Sequence, residues 1–155
     1  MLINNEVQSG MHLYNLPPGD NTIDLTVKSE EPIQLVITCN LKRSEFHELI
    51  DDNYTIHNHR DPDSKESNCK VTIKCNRGIE ELKCYVNDLK VNSNVLMCTA
   101  YNLSHLGLNS DINYLSLYDC SSLNVITNDH QISELYSHKP CSIVYTTPTT
   151  LPLLY

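Results

Sequence analysis

The sequence predicts an all-β, mainly antiparallel domain: a β-sandwich or jelly-roll-like arrangement of about eight strands with one or two short helices. Short runs rich in Val, Ile, Thr and Tyr alternate apolar with polar residues, as strands with one buried face do. Turn-forming residues separate these runs, at positions 17–20, 76–78 and 92–94. Alanine occurs once, at Ala100, so few segments favour a helix.

Eight segments are predicted as strands. In the first, Ile23, Leu25 and Val27 alternate with polar residues. The segments are residues 22–27, 33–39, 70–75, 82–86, 95–101, 114–118, 123–127 and 142–146. The turn at residues 76–78, Asn-Arg-Gly, joins the third and fourth segments, which are therefore expected to form a hairpin.

Two short helices are predicted: residues 44–50, with Ser44 as the N-cap, and residues 131–136, which come after Asp129. Neither is long enough to be stable without tertiary packing. Residues 79–90 fit a helix as well as a strand, because apolar residues recur there at helical spacing, and we interpret them as strand. No internal repeat is evident in the sequence.

The length of 155 residues suits one domain, predicted over residues 1–147 and followed by an extended tail, residues 148–155. Two prolines in the tail oppose a helix. Its apolar residues are Leu151, Leu153, Leu154 and Tyr155. Exposing these side chains to water is unfavourable, so the tail is expected to pack on its own core or to dock on a neighbouring subunit.

The composition is typical of an AT-rich genome, as in many viruses, because Asn is abundant while Ala and Gly are scarce. We interpret this bias as a property of the coding sequence and not of the fold. No basic and apolar leader follows Met1, which predicts a cytoplasmic or nuclear protein, in the host cytoplasm if the chain is viral. In such a compartment the seven cysteines are expected to be free thiols in the core.

The net charge of −8 argues against ordinary DNA or RNA binding, which depends on Lys and Arg. An acidic mimic of nucleic acid is also disfavoured, because lysines are interleaved with the carboxylates. No apolar run is long enough for a membrane span. The four scattered glycines form no phosphate-binding loop, and no cofactor is expected.

Charge is distributed unequally along the chain. Residues 1–90 contain 25 charged side chains, and residues 91–155 contain five. Interfaces and strands covered on both sides both lack charge, because charged groups are costly to desolvate. The candidate interaction residues in this second half are Tyr101, Tyr114 and Tyr118, together with the four apolar tail residues.

A candidate metal site lies in the polar segment at residues 51–68. On an extended chain His57 and His59 point to the same side, and Asp61 adds a carboxylate. Two imidazoles and a carboxylate can hold zinc or another divalent metal. The competing interpretation, which we favour, is a solvated loop in a chain with seven histidines.

Two functions are compatible with these features. The leading hypothesis is a non-enzymatic protein-interaction or assembly module that binds a protein partner or itself as a homo-oligomer; a viral structural or host-factor-binding protein would fit the composition. The alternative is a small metal-dependent hydrolase or nuclease that uses His57, His59 and Asp61.

Overall fold

The structure, a computed structural model, describes residues 1–40 and 68–147. Within these residues the regular elements are thirteen β-strands. They are β1 (Leu2–Val7), β2 (Gly10–Leu16), β3 (Gly19–Val27), β4 (Ile33–Cys39), β5 (Cys69–Cys75), β6 (Ile79–Tyr85), β7 (Asp88–Val91), β8 (Val95–Tyr101), β9 (His105–Leu108), β10 (Ile112–Tyr118), β11 (Ser122–Thr127), β12 (Ile132–Ser137) and β13 (Ser142–Thr146).

The strands form two sheets in which hydrogen-bonded neighbours run parallel. Sheet A has seven strands in the order β1-β3-β5-β7-β9-β11-β13. Sheet B has six strands in the order β12-β10-β8-β6-β4-β2. Each strand is followed along the chain by a strand of the opposite sheet. The chain therefore winds as a β-solenoid of about six turns.

The all-β class is confirmed, but the predicted antiparallel β-sandwich or jelly-roll-like arrangement is wrong. Alternation of apolar and polar residues shows that a strand has one buried face. It carries no information on the direction of the neighbouring strand. In the solenoid both sheets turn their apolar faces toward each other, so the same alternation fills a core between parallel sheets.

The eight predicted segments overlap strands β3, β4, β5, β6, β8, β10, β11 and β13. The predicted hairpin is wrong, because β5 belongs to sheet A and β6 to sheet B. The turn Asn-Arg-Gly at residues 76–78 carries the chain across the core instead of reversing it within one sheet. Residues 79–90 cover β6 and most of β7, as interpreted, while residues 131–136 overlap β12 and do not form a helix. The helix predicted over residues 44–50 lies outside the described residues.

Pairs of consecutive outward residues explain the helix-like spacing in sheet B. In β10, Ile112 and Leu115 are buried, while Asn113 and Tyr114 between them both face outward. Ile79 and Leu82 of β6 show the same spacing. With two consecutive residues outside at the start of the strand, the buried residues recur three apart, as in a helix.

The core consists of stacked rows, each contributed by successive turns. Leu35, Leu82, Cys98 and Leu115 are neighbours in one such row of sheet B, and each is almost fully buried. Five of the seven cysteines are buried and the other two are half-buried, which agrees with the expected packing of cysteine as a small hydrophobe. Burial of these rows is the main stabilising contribution to the fold.

Asparagine and aspartate form several corners of the solenoid. Asn40, Asn102 and Asp119 follow β4, β8 and β10, with φ of 50°, 60° and 53°. Among non-glycine residues Asn and Asp adopt this left-handed conformation most readily. The corners can therefore form in a chain with few glycines. The Asn-rich composition thus has a structural use, contrary to the interpretation as coding bias alone.

An asparagine ladder connects three further corners. Asn92, Asn109 and Asn128 directly follow β7, β9 and β11. Asn128 Nδ2 donates to Asn109 Oδ1, and Asn109 Nδ2 donates to Asn92 Oδ1, both at 2.7 Å. A typical hydrogen bond of this kind contributes about 1 kcal/mol. The ladder fixes the stacking of three consecutive turns.

No helix in residues 1–40 and 68–147 has the length and apolar character needed to cross a membrane.

Candidate functional site

A surface that we call the tyrosine face lies on the outer side of sheet B. Its residues are Met97, Thr99 and Tyr101 of β8 and Tyr114, Ser116 and Tyr118 of β10. The parallel register pairs them as Met97 with Tyr114, Thr99 with Ser116 and Tyr101 with Tyr118. Because alternate residues of a strand share a side, the six side chains form two adjacent columns. None of the six carries a formal charge.

An aromatic ladder runs along one border of this face, where the strands of sheet B end. The ring centroids of Tyr85 and Tyr101 are 4.3 Å apart, and those of Tyr101 and Tyr118 are 5.0 Å apart. His138 continues the ladder at 5.3 Å from Tyr118. These separations match the roughly 4.8 Å spacing of strands. The backbone ladder therefore holds the rings in a stack.

Burial affects the chemistry of the first two rings. Desolvation raises the pKa of Tyr85 well above the ordinary tyrosine value, and the neighbouring Tyr101 raises it further. Burial also raises the pKa of Tyr101, although its hydrogen bond with Tyr85 acts in the opposite direction. Both phenols are neutral near physiological pH. They offer hydroxyl groups and ring surfaces for recognition and no negative charge.

The raised pKa of Tyr85 predicts a loss of stability in alkali. The phenol stays protonated in the folded state but ionises in the unfolded state once the pH exceeds roughly 10. The free energy of unfolding is therefore retained below this pH and falls as the pH rises through it. We expect the free energy of unfolding to fall less in Tyr85→Phe than in the wild type. Urea unfolding near neutrality, and again about one pH unit above the ordinary tyrosine pKa, would measure both falls.

The exposed Tyr136, on β12, provides the control for this experiment. Tyr136→Phe is expected to leave the alkaline loss of stability unchanged, because its side chain is half exposed. An equal effect of the two substitutions would contradict the assignment of the raised pKa to burial of Tyr85.

The flanks of the tyrosine face differ from its centre. On β6, next to β8, Lys83 and Glu81 form an ion pair at 3.8 Å. On β12, next to β10, Glu134 pairs in register with Tyr114. The uncharged area is thus bounded by charged residues on both sides. An apolar or aromatic centre with a polar rim is typical of protein interfaces.

Burial does not account for the scarcity of charge in the second half of the chain. Leu96 and Met97 are 50% and 48% exposed on β8. Tyr136, Val144 and Tyr145 are exposed to a similar extent. The outer faces of both sheets are surfaces, and uncharged residues occupy much of them in the later turns. The alternative that these strands are covered on both sides is therefore wrong for these positions.

The structure brings the three predicted tyrosines together on one face: Tyr101 and Tyr118 are stacked, and Tyr114 lies on the same side of β10. Sequence reasoning missed Tyr85 and His138, which extend the stack. One sequence signal for the stack was available. The spacing of Tyr101 and Tyr118 equals the register offset between β8 and β10. The remaining predicted interaction residues, Leu151, Leu153, Leu154 and Tyr155, lie outside the described residues.

The predicted metal ligands His57, His59 and Asp61 also lie outside the described residues. Within residues 1–40 and 68–147, His, Cys, Asp and Glu form no group of three that could hold a metal ion. Burial raises the pKa of Cys120 to about 11, and the neighbouring Cys98 and burial raise that of Cys84. These thiols stay protonated at neutral pH and are poor nucleophiles.

An open cleft of about 430 Å³ lies where the chain passes from sheet A to sheet B. Two charged side chains that line it, those of Arg77 and Asp111, already have partners. Arg77 donates to the carbonyls of Ser29 and Glu30. The Asp111 carboxylate accepts from the Gln131 backbone N–H at 3.0 Å and contacts His130 at 3.2 Å. These bonds hold adjacent corners together, so the cleft is explained by the fold.

Comparison of the chain with protein-family models, with curated proteins and with solved structures gives no match.

Proposed function

We propose that the protein is a non-enzymatic interaction module and that its docking surface is the tyrosine face. The observation that supports this most directly is the absence of charge from two adjacent columns of outward side chains on β8 and β10. Solvated sheet surfaces usually carry charged residues, as the outer side of β5 does with Lys70 and Lys74. Met97, Tyr101, Tyr114 and Tyr118 instead offer large, partly apolar contact area.

The chemistry of this face favours a protein partner. Tyrosine provides ring area and a hydroxyl with few rotatable bonds, so little conformational entropy is lost on binding. Thr99 and Ser116 lie between the rows of larger side chains and offer adaptable hydrogen bonds. The net charge of −8 disfavours a phosphate-rich partner. The expected partner surface is uncharged, with apolar or aromatic groups and hydrogen-bonding groups that fit between the tyrosines.

Met97→Lys places a charge within the proposed interface, beside Tyr114. Its side chain is half exposed, so the fold tolerates the change, but a bound partner would have to desolvate the lysine. We expect the affinity for a purified partner to fall at least about tenfold, which corresponds to roughly 1.4 kcal/mol. The partner would be isolated by affinity capture with the full chain, purified, and titrated calorimetrically into each variant.

Ile126→Lys is the matched control. Ile126 is an exposed apolar residue on β11, on the outer face of the opposite sheet. This variant is expected to bind like the wild type. If Met97→Lys also binds every purified partner like the wild type, the tyrosine face is not the docking surface and the proposal fails.

The hydrolase or nuclease alternative gains no support from the described residues, since its candidate ligands lie outside them. The viral origin and the cytoplasmic or nuclear location stay predictions from the sequence.

A further inference from the structure

The aromatic ladder places two tyrosine rings from successive turns of sheet B in contact. Tyr101 and Tyr118 are register partners on β8 and β10. Their ring centroids lie 5.0 Å apart, at an interplanar angle of 17°. Parallel strands give paired residues the same side-chain direction, so the two nearly parallel rings place like atoms side by side. The ring edges that bear the two hydroxyl groups are therefore neighbours.

Access from solvent differs along the ladder. Tyr101 and Tyr118 are both half-buried, on the outer side of sheet B. Tyr85 is only 2% exposed. His138, at the other end, is exposed but carries no phenol. Of the neighbouring ring pairs in the ladder, Tyr101 and Tyr118 are therefore the pair in which both rings are phenols that a small oxidant can reach from solvent.

We propose that Tyr101 and Tyr118 form a modification site, at which oxidation by a peroxide joins the two rings as a dityrosine. Each phenol loses one electron and its hydroxyl proton, which gives two phenoxyl radicals. A carbon–carbon bond then forms between the ring carbons next to the two oxygens. The hydrogen of each bonded carbon moves to its oxygen and restores the phenol. The two electrons reduce the peroxide, whose O–O bond breaks, and with the two protons hydrogen peroxide gives two water molecules.

Packing favours Tyr118 over Tyr85 as the partner of Tyr101. The centroids of Tyr85 and Tyr101 are closer, at 4.3 Å. Bond formation, however, requires one ring to leave the parallel stack and turn its edge toward the other. Tyr85 is enclosed by the close-packed interior, which resists such a movement. Tyr118 is bordered by solvent and by the exposed His138, so its ring can turn.

The new bond would connect two successive turns of the solenoid outside its core. It closes a covalent loop over residues 101–118. A cross-link restricts the unfolded chain more than the folded one and so stabilises the fold, as a disulfide does. Oxidation at this site is therefore expected to raise the urea concentration at the midpoint of unfolding. This inference does not depend on the proposed docking function of the tyrosine face.

Oxidation of the full chain at low protein concentration, by persulfate with a photoexcited ruthenium tris-bipyridine complex, tests the proposal. Persulfate is itself a peroxide and is reduced to two sulfate ions. We expect dityrosine fluorescence, a monomeric protein, and a cross-linked pair of peptides that contain Tyr101 and Tyr118. Tyr118→Phe should lose this product, because phenylalanine has no phenol to oxidise. The urea midpoint should rise on oxidation of the wild type but not of Tyr118→Phe.

Tyr136→Phe is the matched control, because Tyr136 lies on the neighbouring strand β12 and is 51% exposed, more than either tyrosine of the pair. It should form the cross-link like the wild type. Far-UV circular dichroism would show that both variants are folded. A wild type without dityrosine overturns the proposal, as do cross-links that join only separate molecules or other tyrosines. Equal suppression by Tyr136→Phe and Tyr118→Phe, or a cross-link that leaves the urea midpoint unchanged, overturns it as well.

Discussion

Leu115→Ala is expected to lower the free energy of unfolding by roughly 2–5 kcal/mol, the range for truncating a fully buried leucine. Leu115 is fully buried on β10, and its register neighbours are Cys98 of β8 and Leu135 of β12. The backbones on both sides are held by parallel hydrogen-bond ladders. They cannot move inward to fill the cavity, so the value should lie toward the upper part of the range.

Urea unfolding followed by circular dichroism would measure this loss. Leu96→Ala is the matched control, because Leu96 lies on the neighbouring strand β8 but is 50% exposed. Its substitution should change stability by less than about 1 kcal/mol, as surface substitutions usually do. Similar losses in the two variants would contradict the assignment of Leu115 to the interior row.

Strand positions could be predicted from the sequence, because each strand carries its own apolar alternation. β3 is predictable from Ile23, Leu25 and Val27 alone, since each is buried and each alternates with a polar residue. The strands that were missed have weaker patterns. β9 has only four residues, and β1 is largely exposed at the end of the solenoid. In such segments local sequence contains too little alternation to identify a strand.

The direction of pairing could not be predicted from alternation, but a repeat indicates it. Asn92-Ser93-Asn94 and Asn109-Ser110-Asp111 have nearly the same sequence and follow β7 and β9, which are adjacent in sheet A. Similar corners one turn apart indicate that these two turns stack in parallel. Neighbouring turns are less alike, because the register offset varies from turn to turn. This variation explains why no repeat was evident.

The candidate site was predictable in part. The absence of charge pointed to Tyr101, Tyr114 and Tyr118, and the solenoid places all three on the outer side of sheet B. Their alignment could not be deduced from sequence, because it depends on which strands are neighbours. Tyr85 was missed for the same reason: it lies in the charge-rich half of the chain, and only the β6–β8 pairing brings it against Tyr101.

Asn109→Asp is expected to destabilise the fold by roughly 1–3 kcal/mol at neutral pH, the cost of leaving a polar group without its partner. Asn109 uses both ends of its amide: Oδ1 accepts from Asn128, and Nδ2 donates to Asn92 Oδ1. An ionised carboxylate can still accept from Asn128. It cannot donate to Asn92, and two oxygen atoms then face each other across the turn.

Because of this repulsion, the stability lost in Asn109→Asp depends on pH. The ionised form is disfavoured in the folded state, so the pKa of the introduced carboxyl is raised above the ordinary aspartate value of roughly 4. A raised pKa means that stability is highest below the unfolded-state pKa and is lost as the pH rises through the folded-state pKa. Relative to wild type, Asn109→Asp should therefore recover stability in acid, where the protonated carboxyl can again donate to Asn92.

Asn124→Asp makes the same chemical change where only the oxygen is used, since Asn124 Oδ1 accepts from the Thr146 hydroxyl at 3.0 Å. A carboxylate keeps this bond, so we expect little loss at neutral pH and no recovery in acid. Urea unfolding of both variants and the wild type at neutral and acidic pH would compare them. Equal losses at neutral pH would show that the asparagine ladder does not depend on the amide nitrogen. A difference confined to Asn109→Asp would show that stacked side-chain amides, together with the core rows, hold the turns of this solenoid in register.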